Sequence, residues 1–276
     1  MLFSVLMSVY KSDNAFYFRA AFASIIEQSL KPAEVILVKD GPVNKDLDLV
    51  ISELSALYPA LLKVVVLEKN MGLGYALDIG LAQCTHDIVA RMDSDDISFA
   101  NRFQQQIQVL QKNADIDLVG AWIAEFEGNI ENVSSYRRTP ETHDEIVRFS
   151  KRRSPFNHPS VVFRKAAILE AGGYHSYGTF EDYILWARFL MLGKKAYNIQ
   201  QALVYFRIDA NTYLRRGGFK KAMQEVRLQR DFFKMGFVSL PEFCSNVILR
   251  GCVRLVPNIM RIMIYKIVNR IKKIKY

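Results

Sequence analysis

The sequence predicts an α/β fold: a mostly parallel central sheet with helices on both faces, followed by basic amphipathic C-terminal helices. Three observations point there. Apolar runs alternate with helix-period segments through about the first 112 residues. Those runs are rich in Val, Ile and Leu with no polar alternation, the pattern of strands covered on both faces. Carboxylates follow two of the runs, Asp40 after one and Asp93, Asp95 and Asp96 after another. In such sheets the carboxyl ends of the strands form the ligand-binding rim.

The elements follow in order. The apolar N-terminus lacks a basic stretch and a small-residue cleavage site, so 3–10 reads as a first buried strand and not as a signal peptide. A helix over 15–28, a strand over 34–39 closed by Asp40-Gly41-Pro42, and a helix over 46–57 come next. The alternation continues with a strand over 63–67, a helix over 73–83 and a strand over 87–92. A helix over 97–112 begins just after the acidic cluster, where Asp96 is placed to cap it. Beyond 118–126 the rhythm changes to a helix over 140–151, an extended stretch over 155–164, a helix over 181–192 and a strand over 202–207. Arg215-Arg216-Gly217-Gly218 then forms a basic turn, and Trp122 and Trp186 read as packing residues.

Charge divides the chain unevenly. Residues 241–276 hold eight Lys and Arg against Glu242 alone, so most of the net charge of +9 lies in the tail. On a helical wheel Arg250, Arg254 and Arg261 share one face. Pro257 breaks that helix, and its apolar stretches are shorter than the roughly 20 residues a membrane span needs. A basic stripe beside an apolar face fits a helix lying on an anionic membrane surface. The tail is therefore expected to hold the protein at the membrane without crossing it. Cys84, Cys244 and Cys252 have no C-x-x-C spacing and read as reduced thiols of a cytoplasmic protein.

Three carboxylates within four residues repel one another unless a cation lies among them. Hard oxygen donors of this kind suit Mg²⁺ or Mn²⁺, ions that commonly arrive with phosphate. Neither a G-x-G-x-x-G after the first strand nor a Walker lysine motif is present, which excludes a dinucleotide-binding dehydrogenase and a P-loop enzyme. Phosphate bridged by a metal remains.

Five segments carry a specific resemblance: Ser4-Val5-Leu6-Met7-Ser8-Val9-Tyr10, Ser24-Ile25-Ile26-Glu27-Gln28-Ser29, Glu34-Val35-Ile36-Leu37-Val38-Lys39-Asp40-Gly41, Asn70-Met71-Gly72 with the residues up to Gly80, and Asp93-Ser94-Asp95-Asp96. Together they resemble the family 2 glycosyltransferases of GT-A fold, with Asp78 where that family usually has Asn. The resemblance implies a single Rossmann-like nucleotide-sugar-binding domain over 1–215, its nucleotide part in 1–117 and its acceptor part in 118–215. Residues 216–276 form the helical, membrane-associating extension.

The same resemblance implies roles at matching positions. Asp40 accepts a hydrogen bond from the uracil of a UDP-sugar, and Val9 and Tyr10 line that base. Asn70, Gly72, Arg91 and Asp93 belong to the nucleotide-sugar site. Asp95, with Asp93, holds Mn²⁺ or Mg²⁺ at the diphosphate. Glu181-Asp182 resembles the family's E-D motif, and Asp182 is the expected base that takes the proton of the acceptor hydroxyl. Asp96 either faces the acceptor or caps the helix from Ile97, and His158 lines the acceptor wall. Apart from the resemblance, the paired Arg215 and Arg216 of a glycine-flanked turn suit closing over the diphosphate. The pattern is similar to bacterial O-antigen and exopolysaccharide transferases acting on GlcNAc-pyrophosphate-undecaprenol. Such an enzyme sits on the inner face of the bacterial inner membrane and binds no nucleic acid. Two alternatives are a nucleotidyltransferase, which normally carries a glycine- and lysine-rich loop where 8–14 has no glycine, and a non-enzymatic membrane-surface protein, which leaves the acidic rim without purpose.

Overall fold

The computed structural model describes residues 1–175, 177–178, 180–208 and 218–255, with side chains through 250. Strands β1 (Ser4–Val9), β2 (Glu34–Lys39), β3 (Leu62–Val66) and β4 (Ile88–Arg91) alternate with helices α1 (Ala15–Ile26), α2 (Lys45–Leu57) and α3 (Leu73–Gln83). These four strands pair in parallel in the order β3-β2-β1-β4. Their lack of polar alternation has the expected cause. Val5 and Met7 enter the core under one sheet face with Phe18 and Phe22, while Leu6 enters the other with Ile36 and Leu77. Local chemistry sets the helix starts: Asn14 and Asn44 cap α1 and α2 by accepting from backbone N–H groups of their first turns.

The second half extends the sheet with β5 (Ile97–Ser98), β6 (Ile116–Phe126), β7 (Val133–Arg137), β8 (Val162–Arg164) and β9 (Lys195–Arg207). The full order is β3-β2-β1-β4-β8-β6-β9-β5, with β7 on β6. The β4–β8 and β6–β8 pairs are antiparallel, and β6–β9 is parallel. Among the helices, α4 spans Arg102–Lys112, α5 His143–Ser150, α6 Lys165–Glu170, α7 Glu181–Met191, α8 Phe219–Lys234 and α9 Leu240–Leu255. Trp186 of α7 is fully buried, as its packing role requires. Helix α8 joins the same core, with Phe232 edge-on to Tyr183 of α7 at 4.8 Å. No described helix is long and apolar enough to cross a membrane.

Several elements differ from expectation. The helix expected over 97–112 begins at Arg102, because Ile97 and Ser98 pair with Tyr205 and Val204 of β9. Asp96 therefore caps no helix. The stretch over 155–164 is a 3-10 turn, His158–Ser160, followed by β8. Strand β7 and helix α6 were not anticipated, and β9 starts at Lys195 and not at 202.

One polar contact ties the parallel half together. Glu34, almost fully buried, accepts from Ser4 Oγ (2.6 Å) and Thr85 N (2.6 Å) and pairs with Lys63 Nζ (2.7 Å). Burial pushes its carboxyl up, but hydrogen bonds from Lys63, Ser4 and Thr85 outweigh that and hold it at about 2, below the ordinary value of 4.5. The contribution is thus fully present above pH 4.5 and is lost as pH falls through about 2. Glu34→Ala leaves four donors, Ser4 Oγ, Lys63 Nζ and the Thr85 N–H and hydroxyl, without their acceptor and is expected to lower stability by about 2–4 kcal/mol at neutral pH. Urea unfolding of the variant checks this, and a change under ~0.5 kcal/mol contradicts it.

Candidate active site

Strand β4 ends in a buried charge. Arg91 is 2% exposed, its guanidinium pairs with Asp93, and its Nε and Nη1 have no partner among the described residues. Beneath it Arg102, also buried, donates to the Arg91 carbonyl (2.6 Å) and to Ser98 Oγ (3.0 Å). Burial and the neighbouring Arg91 lower the Arg102 guanidinium to about 9.

Carboxylates gather above this base. Asp93, Asp95 and Asp96 each place an oxygen within 4.8 Å of the others. Asp13, from the loop after β1, joins them by accepting from Ser94 Oγ (2.9 Å) and Tyr10 N (3.1 Å). Burial raises Asp13 to about 6, with the charge of Asp93 adding to it. Desolvation by surrounding protein, then the charges of Asp93 and Asp13, raise Asp95 to about 7. Asp96 is fully buried; Oδ1 accepts from Arg207 N (2.9 Å) and Oδ2 has no partner among the described residues. Burial and then Asp95 push its carboxyl well above the usual range. Crowded acids that resist ionisation, one with an orphaned buried oxygen, form a hard-oxygen donor set fitted to a divalent cation.

Strand β9 closes this side. Arg207 donates Nε to the Asp95 carbonyl (2.9 Å) and lies over the Tyr17 ring at 3.9 Å. Its backbone and side chain together hold the 95–96 turn. Sequence reasoning missed Arg207, Arg102 and Asp13. Only Asp13 carried a signal, as an acid in the loop after a rim strand.

On the opposite flank Asp40 accepts from Met71 N (2.7 Å) with Oδ1, and from Gly72 N (3.0 Å) and Asn70 Nδ2 (2.9 Å) with Oδ2. Gly72 sits at φ +90°, and a Cβ on Gly41 would lie 2.5 Å from Asn70 N, so both glycines are required for this close approach. Asp40, Asn70 and Gly72 thus form one wall, and Asp40 Oδ1 keeps a lone pair for a further donor. Tyr10 is exposed beside it. Val9 is a correction: its side chain, expected at the base, lies in the core, and only its carbonyl meets the wall, accepting from Asp40 N (2.8 Å).

The remaining acids open α7. Glu181 is buried, with Oε2 unpartnered among the described residues, and burial followed by Asp182 raises it to about 7. Asp182, half-buried, accepts from Ser154 Oγ at 3.5 Å. Burial raises its pKa against the Tyr183 N–H and the charges of Arg137 and Arg91. Arg91 acts electrostatically on Asp93, Asp96, Glu181 and Asp182, which places the strand-end cluster and the α7 acids around one cation.

His158 differs from expectation. Its Nε2 lies 3.1 Å from Tyr174 OH, its ring packs edge-on to Trp186, and burial with Arg91 nearby keeps it neutral. Those contacts tie the half-buried ring to Tyr174 and Trp186 rather than leave it fully open to an acceptor. Arg215 and Arg216 lie outside the described residues.

Comparison with known proteins adds to this geometry. The model of glycosyl transferase family 2 matches residues 4–173. A UDP-Gal:alpha-D-GlcNAc-diphosphoundecaprenol beta-1,3-galactosyltransferase of Escherichia coli is 42% identical over 268 residues, 97% of this chain and 96% of that protein. The amylovoran biosynthesis glycosyltransferase AmsE of Erwinia amylovora is 38% identical over 229 residues, 83% of this chain and 85% of that one. The crystal structure of S. aureus TarS superposes with a TM-score of 0.60 at 20% identity, covering 93% of this chain, which spans about half (49%) of the TarS chain. At that identity the likeness is one of fold.

Proposed function

The chain belongs to glycosyl transferase family 2, and on that premise we propose that it transfers a hexose, galactose first, from a UDP-sugar to a GlcNAc-diphosphate-lipid, with inversion at the anomeric carbon. One observation carries the chemistry: a donor set of Asp93, Asp95 and Asp96 oxygens within 4.8 Å of one another, with Asp182 within electrostatic reach of the Arg91 that pairs with Asp93. The relative of E. coli, matched along nearly the whole chain, supports the choice of donor and acceptor.

Each residue then has a task. Asp40, Asn70 and Gly72 form the wall that takes the uracil, with Tyr10 beside it. Asp95 and Asp93 hold the divalent cation, and Arg207 and Asp96 fix the turn that presents them. Bound there, Mn²⁺ or Mg²⁺ neutralises the diphosphate of the departing nucleotide. Arg91 pairs with Asp93 and offers its remaining N–H groups toward the sugar or diphosphate. Asp182 removes the proton of the attacking hydroxyl, and its raised pKa makes it a stronger base than a solvated aspartate. Residues 1–117 serve the nucleotide and 118–215 the acceptor.

The test is incubation with a GlcNAc-diphosphate-lipid, Mn²⁺ and UDP-Gal, UDP-Glc, UDP-GlcNAc or GDP-Man in turn. A β-linked galactosyl product from UDP-Gal is expected. Acceptor-dependent turnover of GDP-Man alone contradicts the assignment.

The extension over 216–276 is proposed to rest on an anionic bilayer at the inner face of the inner membrane, with Arg250 taken out of the stripe expected from sequence. Arg250 turns inward, with Nε 2.8 Å from Oε1 of the buried Glu225. Arg254 and Arg261 lie outside the described side chains. The exposed face of α9 is apolar instead, carrying Leu240, Ile248 and Leu249. A bilayer fits this face because insertion covers exposed apolar surface while the basic tail meets anionic lipid. Ile248→Ser with Leu249→Ser is expected to weaken binding to phosphatidylglycerol vesicles about tenfold or more at 0.3 M salt. Equal co-sedimentation with wild type contradicts it.

A further inference from the structure

We propose that the turn carrying Arg152 and Arg153, together with Arg137, is the subsite for the diphosphate of the acceptor. The inference deepens the function proposed above and rests on a lipid diphosphate as the acceptor class.

The placement begins at Asp182. Its carboxylate receives Ser154 Oγ on one side and is stabilised by the charge of Arg137 on another. Arg153 immediately precedes Ser154, and the Arg137 carbonyl is held by Asn157 Nδ2 (3.1 Å), three residues beyond Ser154. Arg137, Arg152 and Arg153 are all exposed. Beside the residue proposed to deprotonate the acceptor, the protein thus places three exposed arginines.

The turn is held from behind. Lys151 is committed to packing, with its ammonium on the Phe237 carbonyl and 4.0 Å over the Phe237 ring. Asn246 Nδ2 of α9 donates to the Lys151 carbonyl (2.8 Å), and Arg250 donates to the Arg152 carbonyl. Buried Glu225 and Gln229 of α8 anchor Arg250 and Asn246 in turn. Besides Asp182, Glu242 faces this group: it is engaged by the Ser239 N–H and hydroxyl and feels the charges of Lys151 and Arg152. The backbone is fixed while the two guanidiniums stay exposed, an arrangement that costs little reorganisation when an anion binds.

The order of surfaces matches the acceptor's own chemistry. The apolar face of α9, with Ile248 and Leu249 exposed, lies on one side of the helix, and its polar face grips the 151–152 backbone. Moving inward from lipid, one meets an apolar helix, a guanidinium cluster and a carboxylate. A lipid-linked saccharide presents a hydrocarbon chain, a diphosphate and a hydroxyl in that order. Paired arginines bind diphosphate oxygens through charge-assisted, bidentate hydrogen bonds. The donor's diphosphate would meet the cation held by the carboxylate cluster and the acceptor's would meet guanidiniums, so the two diphosphates are bound by different chemistry.

Titration calorimetry with hexyl diphosphate, in saturating UDP and Mn²⁺ so that the donor site is filled, tests the subsite without needing a sugar. Wild type is expected to bind hexyl diphosphate, and Arg152→Ala with Arg153→Ala to bind it about tenfold or more weakly. Arg152→Lys with Arg153→Lys recovers part of that loss, and inorganic diphosphate binds through the same residues if the lipid contributes little. UDP affinity of each variant verifies its fold. Absence of binding by wild type, or equal affinity in the alanine variant, overturns the subsite. Transfer assays separate this from the parent proposal. If GlcNAc-diphosphate-hexyl is galactosylated but the alanine variant keeps its acceptor KM, the subsite falls and the function stands. If no sugar is transferred while the affinity difference is found, the function falls and the subsite stands.

Discussion

Asp182→Asn is expected to reduce transfer by about 10³-fold or more while leaving UDP-sugar and Mn²⁺ binding close to wild type. The substitution keeps the size and the Ser154 contact but removes the proton acceptor. In wild type, activity falls as pH falls, because a protonated carboxyl cannot take the hydroxyl proton. Burial raises the Asp182 pKa above the ordinary value of 3.8, so the acid limb of kcat/KM is centred above that value. Glu181 beside it is raised to about 7, in part by the charge of Asp182, so the limb belongs to the pair. The asparagine variant retaining more than about a tenth of wild-type turnover assigns the general base elsewhere, and Asp96 is then the next carboxylate to replace.

Asp95→Ala is expected to cost a similar factor, on the order of 10³-fold, by removing a ligand from the cation site. Unlike Asp182→Asn, it also removes the metal dependence of UDP binding. Asp95 is the cleaner choice within the cluster. Replacing Asp93 unpairs the buried Arg91 guanidinium, which costs about 3–5 kcal/mol of stability and confounds an activity measurement. Replacing Asp96 frees the Arg207 N–H and loosens β9 from the turn. Chelation of wild type with EDTA followed by return of Mn²⁺ or Mg²⁺ gives the matching loss and recovery. Full transfer by Asp95→Ala, or by wild type in EDTA, excludes the cation role.

The parallel half of the sheet was legible because its strands bury both faces, and β1 to β4 fall within a residue or two of expectation. The second half was less so, for tertiary reasons. Ile97-Ser98 forms a strand only because Tyr205 and Val204 are there to pair with it. The polar start of β9, 195–201, is held by β6 and carries no apolar run of its own. The site divides the same way. Carboxylates at strand ends were visible in sequence, and the structure gathers Asp93, Asp95 and Asp96 as that pattern implies. Their partners were not visible: Arg207 reaches the cluster from more than a hundred residues away, and Asp13 acquires meaning only when the β1 loop folds over Ser94. The inward turn of Arg250 was hidden too, since a helical wheel marks a charged stripe without knowing that Glu225 waits beneath it.

Titration of UDP-galactose against wild type and Asp95→Ala, each with and without Mn²⁺, bears most directly on a donor site built from Asp40 on one side and the strand-end carboxylates on the other. Saturable binding that requires Mn²⁺ in wild type and is weakened about a hundredfold or more in the variant is expected. Equal binding in EDTA, or equal binding by the two proteins in Mn²⁺, contradicts a metal-bridged nucleotide-sugar at Asp93 and Asp95.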